Sequence, residues 1–334
     1  MKDARANGLA VWAKFVDPQI PQSAELECVS DDASFRRYFR FSAVADKRVF
    51  VDAPPEHEDN ESFLKISGAL VAAGVNAPEV FSADLGQGYM MIADLGDELY
   101  LERITRQPES TAGLYAEAVQ ALNRMQKIQC DLPVYDQVRL QSEMNLFHEW
   151  FLARQLKLEL TGDVASLLQA VYRLLVDSAL QQPSCFVHKD YHCRNLMVVA
   201  DNPPGIIDFQ DAVTGPITYD LVSLYKDCYY RFDRQTVEGA VSDFHTNLVA
   251  AGVLTVDAPI LRWFDLMGAQ RHLKCAGIFS RLNLRDGKPG YLADIPLVIE
   301  YLAEVSSLYL ELTGLGLWLK EEIQPRLTAP EFSR

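Results

Sequence analysis

Apolar and polar residues alternate in short runs over residues 1–92, and this period of two predicts β-strands. We expect an antiparallel sheet built from strands at residues 25–29, 38–42, 48–52, 77–81 and 88–92. Apolar residues at helical spacing predict two helices beside the sheet, at residues 4–16 and 60–73, and Gly74 ends the second one. The N-terminal part is therefore predicted to be a small sheet with flanking helices.

The spacing becomes helical after about residue 97, where apolar residues recur every three or four positions. Helices are predicted at residues 111–128, 142–160, 163–180, 219–230, 237–250, 259–282 and 295–312. One hairpin interrupts them: an apolar strand ends in a polar loop, and a short strand, a turn at residues 201–204 and a second strand follow. This order places Asp190, Asn195 and Asp208 at one end of the hairpin.

The change of pattern predicts an α+β fold in two lobes with a cleft between them. Residues 1–92 are expected to form the N-terminal lobe, 93–97 a hinge and 98–327 a helical C-terminal lobe. Residues 328–334 are expected to be a disordered tail. The polar residues of the hairpin would then lie at the mouth of the cleft.

Composition narrows the class of protein. Of 334 residues, 49% are apolar and 23% are charged, which is typical of a soluble globular protein. No apolar stretch approaches the roughly 20 residues that span a bilayer, so we expect a cytoplasmic protein, and we expect a monomer. The net charge of −15 opposes nucleic-acid binding, which needs a basic surface. The six cysteines lack zinc-site spacing and are expected to be reduced, with Cys193 accessible.

The polar residues of the hairpin suit phosphoryl transfer. Asp190 is expected to accept the proton of an attacking hydroxyl, while Asn195 and Asp208 hold Mg²⁺ against the phosphates of a nucleotide. The simpler alternatives are an exposed loop acid for Asp190 and a turn residue for Asn195. Asp208 ends an apolar strand, where a buried acid needs a partner and a metal ion is the natural one.

The segment His188-Lys189-Asp190 with Asn195, followed by Ile207-Asp208-Phe209, resembles the catalytic and metal loops of the aminoglycoside and choline phosphotransferase family. The resemblance implies a bilobal protein-kinase-like fold, ATP and Mg²⁺ as cofactors, Asp190 as the base, and Asn195 and Asp208 as metal ligands. His188 is a further candidate catalytic residue, expected to organise the loop through hydrogen bonds, with proton transfer as the alternative.

Two further residues near this loop have expected roles. His192 lies two positions past the base and is a candidate for contacting the γ-phosphate. Asp220 opens a predicted helix, where it is expected to cap the helix or to brace the catalytic loop.

The nucleotide side departs from the kinase pattern, because the chain has neither a G-x-G-x-x-G loop nor the usual strand lysine. Residues 32–37 occupy the place of the loop, and their alternative is a hairpin with a solvated basic tip. Arg37 or Arg40 can substitute for the missing lysine. The candidate nucleotide contacts are Ser34, Phe35, Arg36, Arg37 and the main chain of Ile92 and Asp94.

Several segments, among them residues 32–40, 143–151 and 270–281, resemble the bacterial anomeric amino-sugar kinases of cell-wall recycling. That resemblance implies N-acetylmuramate and N-acetylglucosamine as acceptors, phosphorylated at C1. The candidate sugar contacts are Glu143, Gln210, Asp211, His272 and Lys274. A cation for the lactyl carboxylate is expected at Lys274, Arg281 or Arg194, for which solvated surface or structural ion pairs are the alternative.

Two other functions stay open at this point. The acidic net charge favours a cationic acceptor such as choline or an aminoglycoside, although local charge decides what a pocket prefers. A non-catalytic, kinase-like nucleotide-binding protein is the alternative of another class.

Overall fold

The computed structural model describes residues 3–30, 35–42 and 48–333. The chain forms two compact units. We name them the sheet unit, Met1–Asp131 with Arg194–Ala212, and the helical unit, Leu132–Cys193 with Val213–Arg334. The expected lobe boundaries at residues 92 and 97 stay a prediction.

The elements are named in chain order. The strands are β1 (Leu26–Ser30), β2 (Arg37–Phe41), β3 (Arg48–Asp52), β4 (Val80–Asp84), β5 (Tyr89–Ala93), β6 (Ser184–Val187), β7 (Leu196–Met197), β8 (Gly205–Ile206) and β9 (Val213–Pro216). The helices are α1 (Ala4–Val16), α2 (Asn60–Ala72), α3 (Tyr100–Arg106), α4 (Thr111–Met125), α5 (Gln137–Leu146), α6 (Gly162–Leu180), α7 (Tyr219–Tyr225), α8 (Arg234–Ala250), α9 (Ile260–Asp286), α10 (Ile295–Leu308) and α11 (Thr313–Trp318). None of these described helices combines the length and apolar character needed to cross a membrane.

The sheet unit contains an antiparallel five-stranded sheet in the order β1-β2-β3-β5-β4. Helix α1 packs on it through Leu9 and Ala13, which join a buried cluster with Phe39 and Phe50. Asp3 caps α1 by accepting two backbone N–H groups, as a carboxylate does at a helix N-terminus. The alternation of apolar residues thus places the sheet as predicted.

Some boundaries differ from the sequence prediction. Strand β4 begins at Val80 instead of residue 77, and α3 was not predicted. The helix expected at residues 142–160 is α5 followed by a π-helical segment, Phe147–Gln155. The expected disorder of residues 328–334 stays a prediction; Pro330–Phe332 forms a 3₁₀ turn whose Phe332 is 3% exposed.

Helix α9 is the centre of the helical unit. It packs against α5, α6, α7 and α10, so that most of its residues are buried on every side. Gly287 ends it in the left-handed conformation that glycine adopts without strain. A helix surrounded on all sides is normally apolar, but α9 carries buried Asp265, Arg271, His272 and Lys274. Arg271 and Lys274 have their charge partners in the candidate site, whereas Asp265 pairs with Arg234 and Lys226 outside it.

Candidate active site

The loop after β6 carries the predicted base, and the Asp220 carboxylate holds its backbone. Strand β6 pairs with β9, and the backbone N–H groups of His188 and Lys189 donate to the Asp220 carboxylate at 2.7 and 3.0 Å. Lys189 has a φ of 77°, a left-handed value that a lysine adopts only when its surroundings hold it. The prediction that Asp220 braces the loop is confirmed, while the N-cap of α7 is Thr218.

Asp190 remains partly open to solvent, with 38% of its side chain exposed. Desolvation opposes its ionisation, but Lys274, His192, Arg271 and Lys189 together lower the pKa of Asp190 to about 2. The nearest guanidinium nitrogen of Arg271 lies 4.0 Å from its carboxylate. Asp190 is therefore ionised at neutral pH and can accept a hydrogen bond from an acceptor hydroxyl.

The two histidines of the loop have different surroundings. His188 is fully buried with its ring edge against Tyr191 at 5.7 Å, which fits the predicted role in organising the loop. The ring of His192 is half-buried and meets Tyr229 at 5.3 Å.

Cys193 is not accessible, contrary to expectation. Its side chain is fully buried and its thiol donates to the Asp227 carboxylate at 3.0 Å. The sequence places this cysteine in a polar loop, but its environment is determined by a residue 34 positions away.

Glu143 on α5 is the centre of a charged cluster in the helical unit. Lys189 Nζ lies 3.1 Å from one carboxylate oxygen and Lys274 Nζ lies 3.5 Å from the other. Burial alone would raise the pKa of Glu143, but Lys274 and Lys189 outweigh it and lower that pKa. The carboxylate is therefore ionised and shared between two lysines.

Aromatic and amide groups complete this cluster. Tyr135 donates its hydroxyl hydrogen bond to Glu143 and accepts one from Gln270 Nε2 at 3.0 Å. Lys274 also donates to the hydroxyl of Tyr219 at 3.2 Å. We name this set the acceptor cluster: Tyr135, Glu143, Lys189, Tyr219, Gln270 and Lys274. Its several donors and acceptors beside the loop of Asp190 suit a polyhydroxylated molecule.

His272 does not fit the predicted sugar contact. It is 0% exposed, its Nε2 bonds the backbone oxygen of Lys226 at 3.0 Å, and its ring stacks on Tyr301 at 4.8 Å. Arg281 is half-buried on α9, and by helix rise it lies about 10 Å further along the axis than Lys274. The structure therefore brings Glu143 and Lys274 together and leaves His272 in the core.

The predicted metal residues lie in the sheet unit, at one end of the hairpin β7–β8. Its strands pair through Leu196 with Ile206, and the backbone N–H of Ile207 donates to the backbone oxygen of Asn195 at 3.1 Å. Asn195 Nδ2 lies 3.3 Å from Asp208 Oδ2, so the structure brings the two side chains together.

The donor set suits Mg²⁺. No group of three His, Cys, Asp or Glu residues forms a metal cluster within residues 3–30, 35–42 and 48–333. One carboxylate with neighbouring amides is the small protein contribution that Mg²⁺ uses when phosphates complete its coordination. Asp208 and Asn195 fit that description.

Gln210 also belongs to this end of the hairpin. Its Nε2 donates to Asp208 Oδ1 at 2.7 Å. Asp211 is exposed, and Arg194 is half-buried in the turn before β7.

The arginines predicted to meet phosphate are engaged elsewhere. Arg36 is 1% exposed, pairs with Glu58 at 3.1 Å and lies over the Phe63 ring at 4.8 Å, so its expected direct contact with the nucleotide does not fit. Arg37 pairs with Asp3 and with Asp52, the latter at 2.5 Å.

Arg40 binds the chain just beyond β5. It forms two hydrogen bonds of 2.7 Å with the Asp94 carboxylate and also pairs with Asp97. Neither Arg40 nor Arg37 therefore presents the uncommitted charge expected of a substitute for the strand lysine.

The remaining nucleotide candidates differ in their surroundings. Phe35 is 61% exposed and stacks on His57 at 4.1 Å, so it offers an aromatic surface to solvent. Ile92 lies inside β5 with strand partners on both sides, and Asp94 follows that strand. Ser34 lies outside the described residues.

The sequence reasoning missed Arg271, Tyr135 and Gln270 as members of the site. Gln270 and Lys274 are four residues apart and so share one face of the predicted helix. The prediction for Lys274 could therefore have been extended to Gln270. Tyr135 precedes α5 in an irregular segment, where no pattern marks it.

Comparison with known proteins agrees with this geometry. A family model described as the phosphotransferase enzyme family matches residues 25–255. A relative from Pseudomonas aeruginosa, named N-acetylmuramate/N-acetylglucosamine kinase, is 41% identical over 326 residues that cover 94% of this chain and 96% of that protein.

Two solved structures share the fold. The ADP-bound aminoglycoside phosphotransferase APH(2'')-Ib has a TM-score of 0.59 at 14% identity, covering 89% of this chain and 98% of that chain. A choline/ethanolamine kinase family protein from Mesorhizobium loti has a TM-score of 0.59 at 15% identity, covering 92% of this chain and 99% of that chain. The predicted kinase-like α+β fold is confirmed.

Proposed function

We propose that this chain, which belongs to the phosphotransferase enzyme family, transfers the γ-phosphoryl group of ATP to the C1 hydroxyl of N-acetylmuramate and N-acetylglucosamine. The observation that carries the acceptor is the similarity, over nearly the whole chain, to the Pseudomonas kinase named for these two sugars. The acceptor cluster supports the same conclusion, because it gathers hydrogen-bonding groups of both kinds around Glu143.

Asp190 is the proposed base. As the C1 oxygen bonds to the γ-phosphorus, Asp190 accepts the hydroxyl proton, the bond to the β,γ-bridging oxygen breaks, and ADP leaves. With a pKa of about 2, Asp190 is ionised at neutral pH but is a weak base. This suits a loose transition state, in which the hydroxyl keeps its proton until late and the carboxylate mainly orients it. His192 remains a candidate for contacting the γ-phosphate.

Asn195 and Asp208 are the residues that would hold Mg²⁺. A bound ion supplies positive charge against the phosphate oxygens. Asp208 has a φ of 63°, a left-handed value that turns its carboxylate out of the line of β8. The residue after Asp208, Phe209, packs its ring against Phe63 at 4.8 Å and so anchors the backbone beside Asp208. The chain thus holds the ligand residues in place without the ion.

Glu143 is the proposed sugar contact of the acceptor cluster. An ionised carboxylate accepts hydrogen bonds from sugar hydroxyls, and Lys189 and Lys274 can donate to ring or acetyl oxygens. The lactyl carboxylate of N-acetylmuramate needs a cation, for which Lys274 remains the first candidate, with Arg281 and Arg194 as alternatives. Lys274 already shares Glu143, so its capacity for a second carboxylate is reduced.

Fewer residues are proposed as nucleotide contacts than the sequence suggested. Phe35 and the main chain near Asp94 remain candidates for ATP, and Arg37 would need to leave Asp52 to meet a phosphate.

The test is an acceptor survey with the purified protein and Mg-ATP, in which ADP release is followed by a coupled assay. N-acetylmuramate and N-acetylglucosamine should drive ADP release, and ³¹P NMR should find the product phosphate on C1. Turnover with kanamycin or choline, but with neither sugar, would refute the proposal and indicate another alcohol kinase of this fold. ATP binding without turnover on any acceptor would indicate a non-catalytic nucleotide-binding protein.

A further inference from the structure

Two amide side chains flank the Asp208 carboxylate. Gln210 donates through Nε2 to Oδ1 at 2.7 Å, and Asn195 donates through Nδ2 to Oδ2 at 3.3 Å. Because each carboxylate oxygen meets a different amide, the plane of the carboxylate is held from both sides. Gln210 was expected to contact the sugar, and the proposed reaction has given it no other task.

The oxygen of the Gln210 amide provides an independent observation. Its Oε1 is shielded from solvent and accepts no hydrogen bond from any residue in the described parts of the chain. A buried amide oxygen normally has a donor or an ion as partner. Amide oxygens are also ordinary ligands of hard divalent cations and of the water molecules such ions carry.

The backbone brings the Gln210 side chain to the end of the hairpin where Asp208 lies. Asp208 is a non-glycine residue in the left-handed region, a conformation that persists only where neighbours hold it. Phe209 points into the core, where it is fully buried against Phe63. A turn closes behind it through the Ala212 N–H, which donates to the Phe209 oxygen at 3.1 Å. With Phe209 anchored, residues 208 and 210 project from the same short turn.

We propose that Gln210 is a positioning residue of the metal site and does not contact the sugar. Its Nε2 fixes the orientation of Asp208, and its Oε1 would hold the ion through the ion's hydration shell. The proposal rests on the proposed function only in assuming that a divalent ion binds at Asp208. Gln210 therefore sets the affinity for the ion, whichever alcohol is the acceptor.

The experiment measures metal binding directly. Mn²⁺ is titrated into the protein with a non-hydrolysable ATP analogue, and free Mn²⁺ is followed by electron paramagnetic resonance. Gln210→Met removes both ends of the amide at similar length, and we expect the Kd for Mn²⁺ to rise about tenfold, the effect of one hydrogen bond to a charged group. The Mg²⁺ concentration for half-maximal turnover should rise in parallel, while the KM of both sugars stays unchanged.

The chain offers a matched control. Gln87 Nε2 donates to Asp84 at 2.8 Å in an exposed turn between β4 and β5, so Gln87→Met removes the same kind of contact away from the hairpin. That variant should bind Mn²⁺ as the wild type does. If Gln210→Met does not fold, Gln210→Asn keeps the amide one methylene short and should weaken Mn²⁺ binding in the same direction.

Two results would overturn the proposal. One is wild-type Mn²⁺ affinity in both Gln210 variants. The other is a raised sugar KM with unchanged metal dependence, which would return Gln210 to the acceptor. Failure of the proposed function is distinguishable, because a wild type that turns over neither sugar still allows the Mn²⁺ titration to test Gln210.

Discussion

Lys274 Nζ lies 3.5 Å from Glu143 Oε2 and is also the largest single charge that keeps Asp190 ionised. One buried lysine therefore serves both the proposed base and the proposed sugar contact. Burial opposes the charge on Lys274, but Glu143, Tyr219 and Asp190 together outweigh it and raise the pKa of that lysine above its usual range. The three residues should consequently respond together when any one is changed.

Replacement of Lys274 by Met should move the acid limb of the pH profile. The pKa of Asp190 is about 2, so its protonation should leave kcat/KM of the wild type unaffected at neutral pH. Burial raises the pKa of Asp190 and the positive charge of Lys274 lowers it. Without the lysine, we therefore expect the pKa of Asp190 to rise by about one unit or more. The limb should shift to higher pH, from about 2 toward about 3 or above, which kcat/KM measured from about pH 2 to 6 would reveal.

The same substitution has a stability consequence of defined sign. A carboxyl group with a depressed folded-state pKa contributes stability above its unfolded pKa near 3.8 and loses it as pH falls toward 2. Lys274→Met should therefore reduce the contribution of Asp190 at neutral pH, measured as a smaller difference in Tm between pH 7 and pH 3. An unchanged acid limb together with an unchanged Tm difference would show that Lys274 does not control Asp190.

The two sugars should separate the roles of Lys274. Loss of the lysine disturbs Glu143 with either acceptor, but only N-acetylmuramate carries a carboxylate. We expect Lys274→Met to raise the KM of N-acetylmuramate about tenfold more than that of N-acetylglucosamine, the difference that one charge-assisted hydrogen bond makes.

Arg281→Met on the same helix is the comparison variant. If Lys274→Met affects both sugars equally and Arg281→Met affects N-acetylmuramate alone, the carboxylate contact belongs to Arg281.

Asp190→Ala tests the proposed base. Turnover should fall by about 10²- to 10⁴-fold, the usual share of a positioned acid or base. Binding of Mg-ATP, measured by calorimetry, should be retained, because the proposed metal ligands Asn195 and Asp208 belong to the other unit. Asp243→Ala on the exposed face of α8 is a control that removes a carboxylate without losing activity. Wild-type turnover in the Asp190 variant would exclude it as the base.

The sequence predicted the family and the fold because both rest on local patterns. Strand alternation and helical spacing depend on neighbours within a few positions. The spacing of Asp190 and Asn195 likewise lies within one loop, and the family it implied is confirmed. These features need no knowledge of distant contacts.

The partners of the charged residues could not be predicted in the same way. Arg36, Arg37 and Arg40 belong to one basic segment, yet they pair with Glu58, Asp52 and Asp94 respectively. Each partner comes from a different part of the sheet unit, so only the tertiary fold distinguishes the three arginines. His272 was misassigned for the same reason, because a polar residue on α9 is equally compatible with a site and with a fully surrounded helix.

Within the sheet unit, the Arg36–Glu58 pair is connected through Phe63 to the turn that carries Asp208. Arg36 lies over Phe63, which packs on Phe209 beside Asp208. Removing one member of a buried pair leaves the other charge uncompensated, so Arg36→Met should lower the free energy of unfolding by about 3 kcal/mol or more. Urea unfolding followed by tryptophan fluorescence measures this loss.

A double-mutant cycle with Glu58→Gln determines whether the pair itself is responsible. The combined variant should recover part of the stability lost in Arg36→Met, because Glu58 no longer carries an unpaired charge. Arg48→Met is a matched control, since Arg48 pairs with Asp17 at 2.7 Å with more of its side chain exposed, and its loss should cost less. Strict additivity of the two changes would instead assign the stability to the contact of Arg36 with Phe63.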